Sequence, residues 1–212
     1  MMQILKCNDQ LDQETLKNIG IAAEAIKDGK LVVYPTETVY GIAADIFNQK
    51  AIKDLYLAKN RPFDMPLSVA VADKEMVQNI AVMTKKVEKL IDAFLPGPLT
   101  IITKKDSSVS DIITSMSQKV GIRIPDNKVA LELIRQAERP IIATSANLHS
   151  HPDAVNVQDA VRDFGETVPY YLDSGACTLG KPSTIVWIMD DEVEIIRQGA
   201  ITKQQIEGVL ND

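Results

Sequence analysis

Two cations in LAKNRPFDMPL, Lys59 and Arg61, are the first residues whose types and spacing invite chemistry. They fall at the end of a helix, just before Pro62 stops it, and the residue ahead of a proline favours extended backbone, in which alternate side chains share a side. On that expectation Lys59 and Arg61 point the same way and form an anion clamp, Arg as a fork and Lys as a point charge. The plainer reading is that cations in a last helical turn simply complement the macrodipole. PIIATSANLHS is an apolar strand ending in Thr144, Ser145 and Asn147. Short polar side chains at such a strand end suit a ligand at the carboxyl edge of an open α/β sheet, although they also close turns.

Arg123 in VGIRIP is flanked by Ile122 and Ile124, so it either alternates onto a solvent face or is a lone charge pointed into a cleft. PSTIVWI starts a strand with Ser183 and Thr184, and IIRQG ends one with Arg197. In VVYPTETVYG a strand breaks at Pro35 into Thr36, Glu37, Thr38 and Tyr40, and Thr38 is the hydroxyl expected to meet substrate while the others shape the turn. LPGPLT reads as a turn that sets the entry to a strand. His149 and His151 lack a third ligand nearby and read as a surface loop. They are the chain's 2 histidines, which removes most His-dependent nucleophilic schemes. Neither GxGxxG nor GxxxxGK[ST] occurs, so any nucleotide is held in another way.

These residues need supports, and the sequence supplies them. Asp12 caps a helix with Leu16, Ile19, Ala23 and Ile26 near one face, and Gly29 ends it. KLVVYP is the next strand; Asn48 then caps a helix carrying Ile52, Leu55 and Tyr56, and PLSVAVA follows as a strand. Helices are expected over 73–80 and 84–94, strands at LTIITK and VGIRIP, a helix after Asn127 and a strand at PIIATS. A short helix after Asn156 leads to YYLD, to a strand pair STIVWIMDDEVEIIR turning at Asp190 and Asp191, and to a last helix opened by the Thr202/Gln205 capping box. The polar, serine-rich stretch 104–119 reads as a surface excursion. The pattern is α/β with a mixed sheet.

The 212 residues suit one domain, with 45% hydrophobic and 25% charged residues and no apolar run able to cross a bilayer. MMQILKCNDQ lacks the order of a signal peptide, so the expected location is the cytoplasm, where Cys7 and Cys177 stay reduced structural thiols. A net charge of -6 argues against general affinity for nucleic acid and leaves room for a local basic cleft.

Taken in order, YPTETVYGIAAD, KNRPFDMPLSV, LPGPLT, VGIRIP, TSAN, PSTIV and IIRQGAI resemble the YrdC-like threonylcarbamoyl-AMP synthases in their short form. The resemblance implies a single domain over 1–212, its motifs within 15–201: a twisted mixed parallel/antiparallel sheet with flanking helices around a large cleft. It implies synthesis of threonylcarbamoyl-AMP and pyrophosphate from L-threonine, bicarbonate and ATP, with a divalent cation, magnesium, carried by the nucleotide. The product would pass to a tRNA threonylcarbamoyl transferase complex. The family's KxR motif falls on Lys59 and Arg61, expected to be catalytic and to bind ATP with Asn147 and Arg197. Its SxN motif falls on Ser145 and Asn147, and Thr38, Arg123, Ser145 and Ser183 match the L-threonine site.

The chain departs from many relatives at Met65, at Ala70 and in LHSHPDAV after the SxN motif, which bears on the rim of the nucleotide site. A long form of the family adds a second domain beyond the point where this chain ends. Two rival readings accompany the resemblance: a module of the same fold that binds tRNA or double-stranded RNA in a basic cleft, and a carbamoyl-phosphate-processing relative. Either way no membrane is involved.

Overall fold

Short polar side chains start most of the helices. Asp12, Asn48, Asp73, Thr84, Asn127 and Asn156 each accept a backbone N–H of the first turn, satisfying a donor that has no partner within the helix. Thr202 and Gln205 bond reciprocally ahead of the last helix, as the capping box predicts. The computed structural model describes residues 2–189 and 192–211, and the turn expected at Asp190 and Asp191 lies outside them.

In chain order the elements are β1 (Gln3–Lys6), α1 (Gln13–Lys27), β2 (Val32–Tyr34), β3 (Gly41–Ala43), α2 (Gln49–Ala58), β4 (Ser68–Ala70), α3 (Lys74–Gln78), α4 (Lys85–Phe94) and β5 (Leu99–Lys104). There follow α5 (Asp111–Thr114), β6 (Lys119–Arg123), α6 (Lys128–Ala137), β7 (Ile141–Ser145), α7 (Val157–Phe164), β8 (Tyr170–Asp173), β9 (Thr184–Met189), β10 (Glu192–Arg197) and α8 (Lys203–Asn211).

Among the described residues ten strands form one sheet in the order β1-β8-β2-β3-β7-β4-β6-β5-β9-β10. Parallel pairs (β1 with β8, β2 with β8, β4 with β6, β5 with β9) occur together with antiparallel ones, so the sheet is mixed as expected. Neighbouring side chains on one strand take opposite faces. Ile142 and Val33 join one apolar cluster with Leu55, Leu90 and Phe164, while Ile141 and Val32 join another with Ile19, Ile26 and Leu133 of α1 and α6.

Two strands escape the sequence pattern. β1 is an edge strand whose residues are largely exposed, so it carries little periodicity. β3 is three residues buried throughout, with no alternation to read. The stretch 104–119 is more than a surface excursion: it holds α5, buries Val109 and Ile113, and accepts the Tyr56 hydroxyl on the Ile112 carbonyl at 3.2 Å. Its apolar residues are few and irregularly spaced, so only packing against α2 reveals the element. No helix among the described residues is long and apolar enough to cross a membrane.

Candidate active site

Alternation decides where a cleft can open. Gly41 and Ala43, Ser68 and Ala70, and Ala143 and Ser145 each share a face of their strands, and all are small. Where α1 and α6 lie on this face, Ala43, Ala70 and Ala72 are packed beneath Ile19, Ile26 and Leu133. Where the helices leave off, Gly41, Ser68, Ala70 and Ala143 become the floor of a cleft of about 210 Å³. Registers Gly41↔Ser145, Ser68↔Ala143 and Ala70↔Arg123 bring three sequence-distant motifs onto that floor. The cleft therefore lies across a sheet face rather than beyond a strand edge, because the missing volume comes from small side chains. At Gly41 a Cβ would lie 2.7 Å from the Tyr34 ring, so the residue there must be glycine for β2 and β3 to pair beside it.

The charged lining consists of Arg61, Arg123, Arg197 and Asp153. The cleft is locally basic in an acidic chain, as anion binding requires. Burial lowers the Arg61 and Arg197 guanidinium pKa values, yet guanidinium stays charged in proteins.

Lys59 and Arg61 do not project side by side. Lys59 caps α2 with helical backbone, and Asn60 takes a left-handed φ of 49°, so the extended geometry expected before Pro62 is absent at 59–60. A helix closing on a left-handed residue satisfies its last carbonyls, which outweighs the weaker proline preference. Lys59 turns inward to 2% exposure and donates to the carbonyls of Ser145 at 2.5 Å and Asn147 at 2.6 Å. Burial, then the neighbouring Arg61 charge, lowers its ammonium to about 7. The two carbonyls act the other way, since they favour the charged donor. Arg61 alone of the pair lines the cleft, braced by the carbonyls of Met65 (Nε, 3.3 Å) and Pro66 (Nη2, 2.9 Å). Met65 thus serves through its backbone, whatever its side chain, while Ala70 is part of the floor.

The SxN pair is internally bonded. Ser145 Oγ donates to Asn147 Oδ1 at 2.5 Å, and Asn147 Nδ2 donates to the His151 carbonyl at 2.6 Å. Ser145 and Thr144 line the cleft, whereas Asn147 is buried behind them.

Thr38, the hydroxyl singled out from the sequence, is fully buried and does not line the cleft; its Oγ1 lies 2.9 Å from Thr36 Oγ1. Thr36 is the one at the lining, fixed by donation to the Val39 carbonyl at 2.6 Å. Tyr40 lines the cleft too and donates to the Gly175 carbonyl at 2.6 Å. Sequence spacing alone could not choose between Thr36 and Thr38, because the tight loop 35–40 has no strand periodicity.

Arg123 Nη2 stands 2.8 Å from Glu37 Oε2, both side chains being nine-tenths buried or close to it. That contact is ionic without hydrogen-bond alignment: among the described residues Arg123 Nε and Nη2 and both Glu37 oxygens lack an aligned partner. Arg123 is therefore charge-balanced yet keeps donor capacity at the cleft.

Ser183 Oγ lies 2.8 Å from Thr100 Oγ1, and Arg197 reaches the Ser183 carbonyl through Nε at 3.1 Å and Nη2 at 2.9 Å. Thr100 closes the LPGPLT motif that reads from sequence as a turn, and a hydroxyl at the start of a strand was the available signal. Among the described residues no group of three or more His, Cys, Asp or Glu could hold a metal ion. His151 instead faces Asp163 at 3.2 Å. Cys7 and Cys177 are free thiols, pushed by burial up to about 12 and about 11, so they stay protonated.

Fold and site together define a mixed α/β protein with a locally basic cleft lined by hydroxyls. The family model described as telomere recombination, Sua5/YciO/YrdC, matches residues 24–199, and the chain belongs to that family. A threonylcarbamoyl-AMP synthase of Bacillus subtilis is 37% identical over 91% of this chain and 56% of its own length. One from Vibrio vulnificus is 30% identical over 87% of this chain and 100% of its own length. The structure of Pyrococcus abyssi Sua5 complexed with L-threonine aligns with a TM-score of 0.94 at 33% identity, covering 99% of this chain and 61% of that one. The chain thus spans little more than half the length of its Bacillus and Pyrococcus relatives.

Proposed function

We propose that the chain is an L-threonylcarbamoyladenylate synthase. The observation that carries this reading is the convergence of Arg61, Arg123 and Arg197 with Thr36, Thr100, Ser145 and Ser183 on one cleft, in a chain so similar to a threonine-binding structure. In the reaction the deprotonated amine of threonine adds to the carbon of bicarbonate, with loss of water, giving a carbamate. A carbamate oxygen then attacks the α-phosphorus of ATP, and pyrophosphate leaves with the bonding electron pair.

An anion approaches a polyanion, so the dominant need is charge neutralisation and positioning rather than acid–base chemistry. Arg123, with unaligned donors, takes the threonine carboxylate as a fork; Ser183, Ser145 and Thr36 accept or donate to its amine and hydroxyl. Thr38 acts behind Thr36. Arg61 and Arg197 meet the phosphates, while Lys59 and Asn147 shape the wall on which those phosphates rest. Magnesium carried by ATP neutralises phosphate charge when bound, and the lining offers it one carboxylate, Asp153. The product passes in the cytoplasm to the transferase complex that modifies tRNA.

Pyrophosphate release from ATP tests the reading: release requires threonine and bicarbonate together, and a rate unchanged by omitting either overturns it. RNA binding that weakens steeply with salt and ignores threonine would favour the RNA-binding reading instead.

A further inference from the structure

Asp153 belongs to LHSHPDAV, the segment that departs from the family pattern, and among the described residues it is the only acidic one in the cleft lining. Its place is fixed by its neighbours. Asn147 Nδ2 holds the His151 carbonyl at 2.6 Å, Asp163 accepts the Leu148 N–H at 2.8 Å, and the Ala154 carbonyl accepts the Tyr40 N–H at 2.8 Å. Among the described residues the Asp153 carboxylate has no hydrogen-bond or ion-pair partner. Its field nevertheless reaches both Lys59 and Arg197 and partly offsets the lowering that burial imposes on each.

A carboxylate beside Arg197, which the proposed function sets against the phosphates, repels those phosphates. A purely basic cleft would prefer metal-free ATP, the more negative form. Magnesium is commonly bound by one or two carboxylates together with substrate phosphates and waters, rather than by an all-protein cage. A single placed carboxylate with no surrounding ligand cluster has that donor chemistry.

We propose that Asp153 makes nucleotide binding conditional on the accompanying divalent cation, repelling bare phosphates and accepting the metal that ATP brings. This rests on the reading of the cleft as an ATP site.

Calorimetric titration of the full chain with ATP, in EDTA and then in magnesium chloride, tests it in wild type and in Asp153→Asn. In wild type, magnesium is expected to tighten ATP binding about tenfold. In Asp153→Asn, metal-free ATP binds about fivefold tighter than in wild type, and the magnesium enhancement falls below about twofold. An equal magnesium enhancement in both proteins, with ATP binding intact, overturns the role of Asp153 alone. Absence of ATP binding to wild type under both conditions overturns the nucleotide reading and this inference with it.

Discussion

Lys59 and Arg61 leave the same end of α2, yet they sit in different physical situations. Lys59 is enclosed and donates to the carbonyls of residues 145 and 147, so its charge is spent on holding the chain. Arg61 is braced by two carbonyls but keeps donors at the cleft. The same division runs through the site: Asn147 and Thr38 fasten a wall from behind, while Ser145 and Thr36 face the cavity. Each motif pairs a residue that builds the wall with one that uses it. Motif membership therefore does not say which residue touches substrate, and substitution of the two kinds should fail in different ways.

The sharpest contrast comes from Arg61→Ala. It should cut pyrophosphate release about a thousandfold, roughly 4 kcal/mol of barrier, with the thermal midpoint nearly unchanged. Activity within tenfold of wild type in a stopped assay would remove Arg61 from the cleft chemistry. Lys59→Met should do the reverse in kind, costing about 1–3 kcal/mol in urea unfolding because two buried carbonyls lose their donor. An unchanged unfolding midpoint would mean that Lys59 is not a wall residue.

Thr100→Val, on the using side, should raise the KM for threonine about tenfold, or 1.4 kcal/mol, by removing the nearer of the two groups bonded to Ser183 Oγ and leaving Arg197 Nη2, with the KM for ATP unmoved. Equal changes in both would point to a general loss of structure.

A graded effect, spread over several pH units, is the pH dependence of Lys59. Its folded pKa, about 7, lies below the ordinary 10.5, so the fold bears the cost of a buried charge below pH 7. Between those values the unfolded chain binds a proton that the folded chain has released, and stability rises with pH by up to about 1 kcal/mol per unit. Unfolding free energies from pH 7 to 10 should show that rise in wild type and lose it in Lys59→Met. Identical slopes would mean that the two carbonyls keep Lys59 charged throughout.

Much of this was legible in the chain. Asp12, Asn48 and Asn127 mark helix starts because a capping side chain acts within one turn. The strands at LTIITK, VGIRIP and PIIATS stand out because long apolar runs need burial. Arg123 was readable as a charge inside such a run, Ser183 and Arg197 as polar groups at strand ends, and the structure brings all three to the cleft. Thr36, Thr100 and Asp153 were not singled out, since what distinguishes them is which way a tight loop or a strand entry turns.

Composition, capping and hydrophobic period were enough to determine an α/β chain with a mixed sheet, since those signals act over a few residues. Which cations face the cavity and where the cavity opens were decided by tertiary structure alone. Both depend on contacts between distant segments: Lys59 with the carbonyls of 145 and 147, and α1 and α6 with only part of a sheet face.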